Sequence, residues 1–110
     1  MATTDIALPA YLPEIIERIT RRFNPLRILL FGSWARGEAH VDSDIDLLIV
    51  LPHVVDKRQA AILIGNALSD LPVSKDIVVT TPAEIAARGK VVGNVLRPAL
   101  REGKVIYERA

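Results

Sequence analysis

The chain has no cysteine among its 110 residues. Disulfides and thiolate metal sites are therefore excluded, and the composition fits a reducing, cytoplasmic setting. It also lacks an excess of charge of either sign: 14 Lys and Arg stand against 13 Asp and Glu, a net +1. Bulk nucleic-acid binding needs a concentrated basic face, so that partner class is not expected. Aromatic side chains are scarce, with two Phe, two Tyr and one Trp, which leaves little for stacking along single-stranded RNA. Half of the residues are apolar, yet no apolar run approaches the ~20 residues of a membrane span. The opening MATTDIALPA has neither a basic start nor a long apolar stretch, so no signal peptide and no membrane partner are expected. Internal repeats, low-complexity tracts and linkers are absent. One domain over residues 1–110 is expected, and a chain of this size buries roughly 60–70 % of its unfolded surface without staples.

What is present has the rhythm of an α/β (α+β) fold, a small mixed sheet flanked by helices. Leu12, Ile15, Ile16, Ile19 and Phe23 recur at helical spacing and predict a helix over 11–23, which Asn24 and Pro25 stop. RILLF, residues 27–31, predicts a buried strand ending at Gly32. Residues 33–43 carry turn signals, with one helical turn around Trp34 to Arg36. DIDLLIVL, residues 44–51, predicts a second strand ended by Pro52. Asp56 caps a helix expected over 57–69, with Ala60, Leu63, Ala67 and Leu68 turned inward. KDIVVT, residues 75–80, predicts a third strand. Thr81-Pro82-Ala83-Glu84 has the form of a capping box for a helix ending near Gly89. A helical stretch over 91–102 should break near Arg97 because of Pro98, and KVIY, residues 104–107, reads as a last strand.

The chemistry gathers at strand mouths. Alternation along a strand puts Asp44 and Asp46 on one face with Leu48 and Val50, their Cβ atoms roughly 6–7 Å apart. Two like charges beside a core need exposure, a counter-charge or a cation. A D-x-D alone is also an ordinary solvated strand start. Asp76 opens the third strand in the same manner, on the face of Val78 and Thr80. If the second and third strands are neighbours, three carboxylates meet at one rim, an arrangement suited to hard divalent cations that take carboxylate and phosphate oxygens. Upstream, Gly32 lets backbone N–H groups approach an anion and Ser33 adds a hydroxyl. G-S-W-A-R-G-E is not a Walker A loop, because Glu38 stands where a lysine is required. Arg36 and Lys75 are the nearby cations, able to steady a phosphate or to balance the aspartates. Lys75 should face away from Asp76 and favours the balancing part. Trp34 fits packing better than recognition, and His40 and His53 lack a ligand cluster.

Taken together, Gly32-Ser33, ten intervening residues, Asp44-Ile45-Asp46-Leu47 and a later Asp76 form a combination that resembles the DNA polymerase β-like nucleotidyltransferase superfamily. LFGSWARGEAHVDSDIDLLIV is similar to the signature of its small minimal nucleotidyltransferase (MNT) members almost throughout, and LREGKVIYE resembles their usual tail. The resemblance implies a polymerase β-like fold and ATP bound with two Mg²⁺ ions. It implies Asp44, Asp46 and Asp76 as metal ligands, Asp76 also helping to deprotonate the acceptor hydroxyl. It implies Gly32 and Ser33 on the β and γ phosphates, with Arg36 beside them. MNT proteins are often paired with a HEPN-domain ribonuclease toxin. The resemblance therefore implies an antitoxin that transfers AMP to a tyrosine of that toxin. A chain of this length has no room for an acceptor-holding domain, so the partner should supply the acceptor. Three other readings compete. They are a module that neutralises a partner by contact alone, a nucleotidyltransferase acting on a small molecule, and an enzyme extending RNA ends.

Overall fold

The computed structural model describes residues 8–40, 42–89 and 96–110. The first helix, α1 (Leu12–Phe23), carries Glu14 in its first turn and Arg21 and Arg22 in its last, each matched to the helix dipole. It stops at Asn24, whose left-handed backbone returns an N–H to the Thr20 carbonyl. Four strands follow: β1 (Arg27–Phe31), β2 (Ile45–Val50), β3 (Lys75–Thr80) and β4 (Lys104–Glu108). Between them lie the single turn α2 (Ser33–Arg36), then α3 (Lys57–Ala67), α4 (Pro82–Arg88) and α5 (Leu96–Glu102). The sheet order is β3-β2-β1-β4. β1 runs antiparallel to β2 and β4, whereas β2 and β3 are parallel and joined through α3. The expected mixed sheet with helical cover is thus the observed one.

Both faces of the central strands are buried, which is why β1 and β2 read as near-continuous apolar runs. On one face Ile28, Leu30, Ile45, Leu47 and Ile49 pack under α1 and α3 through Ile15, Ile19, Ile64 and Leu68. On the other, Leu29, Leu48 and Val50 meet Leu96 and Ala99 of α5. Asp46 and Asp76 share the parity of this second face, so the helix above it, α5, forms the opposite wall of whatever they line. No helix among the described residues is long and apolar enough to cross a membrane.

Several expectations need correction in detail. β2 begins at Ile45, so Asp44 stands in the loop just ahead of the strand. α3 is shorter than expected; its buried residue is Ile64, with Ala60 packed beside the core and Leu68 buried just past the helix end. Leu63 is 47 % exposed while Ile64 is fully buried. The run Ile62-Leu63-Ile64 offers three apolar choices, and packing against α1 and the sheet selects one. Asp56 caps α3 through the Gln59 N–H at 3.1 Å. Half of the expected capping box forms: Thr81 Oγ1 accepts from the Glu84 N–H at 3.2 Å. The Glu84 carboxylate turns instead to the Thr80 hydroxyl at 2.7 Å and to Lys57. The expected helical stretch over 91–95 lies outside the described residues. α5 is described from Leu96, with Pro98 in its first described turn.

Candidate active site

The site is built where β1 leaves the sheet. Phe31 is the register partner of Asp46 on β2, so the next residue, Gly32, arrives beside that carboxylate. Gly32 has φ 73° and ψ −153°, a region open essentially to glycine alone. A Cβ added there would lie 2.0 Å from Asp46 Oδ2. The glycine is therefore required twice over, by its backbone and by its neighbour. Sequence reasoning found the residue but not the second reason, which depends on strand register. Past Gly32 the chain turns at once into α2, with the Ala35 and Arg36 N–H groups bonded to the Gly32 carbonyl at 3.1 Å each.

The loop from α2 to β2 returns the chain to the same place. His40 and Ser43 close a turn through Ser43 N–H to His40 O at 2.9 Å and His40 N–H to Ser43 Oγ at 2.8 Å. The Trp34 indole N–H donates to the Ser43 carbonyl at 3.3 Å, and the ring packs against the α1/α3 side of the core. The packing expectation for Trp34 is met. Among the described contacts His40 enters this turn through its backbone alone.

β3 supplies the third acid. The parallel register sets Asp76 directly opposite Asp46, and parallel partners share a face. Burial first, then the charges of Asp76 and Asp44, push the Asp46 carboxyl above the ordinary carboxylate range, and Arg36 offsets part of this. Asp44 and Asp76 are thus each close enough to Asp46 to repel its charge. An acid whose pKa is raised by folding holds its proton more tightly in the native state than in the unfolded one. Its charge therefore destabilises the native state at neutral pH, and this penalty fades as pH falls through the raised value towards the ordinary ~3.9. In EDTA, Asp46→Asn should melt above the wild type at neutral pH, and the gap should shrink on acidification through that window. Thermal melts of both proteins across the pH range check the sign.

The two cations behave differently from one another. Arg36 reaches Glu38 at 2.9 Å and Glu102 on α5 at 3.1 Å, hydrogen bonds that hold its guanidinium charged more firmly still. Lys75 takes no part in balancing the aspartates. Its ammonium donates to the Val73 and Leu71 carbonyls at 2.7 and 3.2 Å, and burial lowers its pKa. Alternation along β3 turned it away from Asp76, as expected, and the carbonyls of the preceding connection claimed it.

Gly32, Ser33, Arg36, Asp44, Asp46 and Glu102 line one cleft of about 470 Å³. Asp76 stands beside Asp46 in the sheet without forming part of that wall. A larger depression of about 800 Å³ lies at the other end of β2 and β3, around Lys57, Arg58, Glu84 and Arg88. Glu84, part-buried there, is already committed to Thr80 and Lys57, whereas Asp44 and Asp46 line the smaller cleft. Among the described residues no three His, Asp or Glu side chains gather tightly enough to hold a metal ion by themselves. Mg²⁺ does not require such a cage, since it commonly takes one or two carboxylates plus substrate phosphates and water. The donors here fit that pattern: all are oxygen, and Asp46 carries an unfavourable charge that a cation would neutralise.

Residues 12–101 match the model of the nucleotidyltransferase domain family, and the chain belongs to that family. It is a nucleotidyltransferase. Comparison with curated proteins finds no match. Among solved structures it is similar to a candidate nucleotidyltransferase from Sulfolobus solfataricus, at 22 % identity and TM-score 0.62 over 87 % of this chain and 76 % of that one. It is also similar to a variant of the MntA-HpeT toxin-antitoxin pair, at 24 % identity and TM-score 0.62 over 88 % and 72 %. A toxin-antitoxin structure containing AMP-PNP gives 23 % identity and TM-score 0.56 over 89 % and 74 %. At these identities the likeness establishes a shared fold.

Proposed function

We propose that this nucleotidyltransferase takes ATP with Mg²⁺ and transfers AMP to a tyrosine hydroxyl of a HEPN-domain ribonuclease toxin, acting as its antitoxin. The observation that carries the chemistry is the alignment of Asp46 with Asp76 across the parallel strands, next to a Gly32–Ser33 turn lining the same cleft as Asp44. Asp44 and Asp46, with Asp76 beside Asp46, would hold Mg²⁺ together with the triphosphate. Bound Mg²⁺ supplies charge neutralisation to the attacking and leaving oxygens of an in-line displacement. The Gly32–Ser33 turn cradles the β and γ phosphates. Asp76, beside Asp46, orients the acceptor hydroxyl and takes up its proton as the oxygen attacks the α-phosphorus and pyrophosphate departs. Arg36 is the cation in the cleft wall and meets the phosphates by giving up part of its contact with Glu38 and Glu102.

The toxin partner rests on the likeness to structures of toxin-antitoxin pairs, one of them containing AMP-PNP. The paired acids beside the Gly32–Ser33 turn favour catalysis over neutralisation by contact. The test uses purified protein, Mg²⁺ and ATP labelled at the α-phosphorus, added to a lysate of the source organism. A labelled small protein is expected, lost in EDTA and identified by mass. Label confined to small molecules or RNA would move the acceptor to those classes and overturn the toxin assignment.

A further inference from the structure

Of the two aspartates lining the cleft, Asp44 is the one that the pleat of the sheet does not hold. β2 starts at the residue after it, yet both of its flanking peptide groups are tied. On the far side, the Ile45 N–H donates to the Ser74 carbonyl at 2.9 Å, which locks the start of β2 to the chain entering β3. On the near side, the Ser43 carbonyl accepts from the Trp34 indole at 3.3 Å. The first tie is backbone to backbone and does not depend on residue type. The second needs a ring N–H at position 34. A smaller side chain does not reach, and phenylalanine has the ring without the donor.

We propose that Trp34 is the positioning residue for Asp44: its indole N–H fixes the Ser43–Asp44 peptide and so aims the Asp44 carboxylate into the cleft. The apolar body of the ring gives the donor a rigid base, because it is packed against the core that includes Ile45 and Leu47. α2 is only four residues long, so one short element carries both Ser33, which lines the cleft, and the clamp on the loop that lines it from the other side. Phosphate cradle and metal ligand are thereby held in register by the same turn. This arrangement is the counterpart of an outer partner that orients a metal ligand, whose loss costs metal affinity rather than fold.

The inference rests on the reading of Asp44 as a metal ligand, and the test separates the two. Mn²⁺ serves as an oxygen-liganded stand-in for Mg²⁺, with free Mn²⁺ counted by electron paramagnetic resonance in the presence of a non-hydrolysable ATP analogue. Trp34→Phe should bind Mn²⁺ roughly tenfold more weakly than wild type, with a melting temperature within a few degrees of it. Replacing Trp34 by benzothienylalanine, which keeps the bicyclic shape and exchanges N–H for sulfur, should give the same loss and covers the case in which phenylalanine packs poorly. In an Asp44→Asn background the Trp34→Phe change should add nothing, because the two act through one ligand. Mn²⁺ affinity equal to wild type in both Trp34 variants would overturn the inference and leave the metal site standing. A full tenfold loss that persists in the Asp44→Asn background would overturn the route through Asp44. A wild type that binds no Mn²⁺ with the analogue present would overturn the metal reading and this inference with it.

Discussion

Replacing Asp44 and Asp46 together by asparagine is expected to reduce nucleotide transfer by about 10³-fold or more and to leave the metal-free protein as stable as wild type, or more so. The two halves of that expectation have one cause. Asp46 is half-buried, and its carboxyl is pushed up by burial and by the neighbouring Asp76 and Asp44 charges. A charge held against its own electrostatics contributes nothing to folding, so neutralising it relieves the native state. The same charge is what a bound cation requires, so neutralising it removes the site. Melting in EDTA and transfer from labelled ATP measure the two halves on one preparation. A variant melting well below wild type in EDTA would make the acids structural, and the metal reading would fall. If the proposed antitoxin function holds, the variant should also fail to protect cells from a HEPN-domain toxin; protection equal to wild type would make contact, not catalysis, the basis of any such protection.

Gly32→Ala should be nearly as damaging to transfer, for a steric reason. The backbone at φ 73° and ψ −153° costs a non-glycine residue about 1–3 kcal/mol. The new methyl would also fall on Asp46 Oδ2, 2.0 Å away, so either the carboxylate or the turn must move. A displacement near 1 Å at a reacting centre costs on the order of 10²-fold in rate. Gly37 provides the control. It too has a positive φ, 75°, but a Cβ there meets nothing within 4 Å. Gly37→Ala should therefore lose only the ~1 kcal/mol of a strained backbone and keep its affinity for Mg²⁺ and nucleotide. Equal loss of transfer in the two variants would mean that backbone strain, and not the collision with Asp46, is responsible.

The parts of this molecule that were legible in its sequence are those set by local pattern. Apolar runs bounded by Gly, Pro and Asp located the four strands; alternation set Asp44 with Asp46 on one face, but β2 starts only at Ile45, and it is the parallel register that sets Asp46 beside Asp76. Thr81 and Asp56 announced the helix starts they cap. What escaped depends on contacts between distant segments. Arg36 meets Glu102, 66 residues away, and no local pattern signals that pair. Lys75 was placed on the correct side of its strand, but the carbonyls that hold it belong to the fold of the 71–73 connection. The Ile62–Ile64 run left the α3 face undecided until α1 packed against it. The family resemblance rested on residue types and spacing; Gly32, Ser33, Asp44 and Asp46 share one wall, whereas Asp76 stands beside Asp46 in the sheet and outside it. The collision that makes Gly32 irreplaceable, by contrast, followed only from knowing that Phe31 pairs with Asp46.

In the proposed function, the cleft at Gly32, Ser33, Asp44 and Asp46 binds a metal-complexed nucleoside triphosphate. Calorimetric titration of the wild-type chain with a non-hydrolysable ATP analogue, in Mg²⁺ and again in EDTA, tests it most directly. Saturable binding in Mg²⁺ that disappears in EDTA and in the Asp44→Asn, Asp46→Asn double variant is the expected result. Binding that is indifferent to both the metal and the two acids, or no binding by a folded wild type, would contradict it.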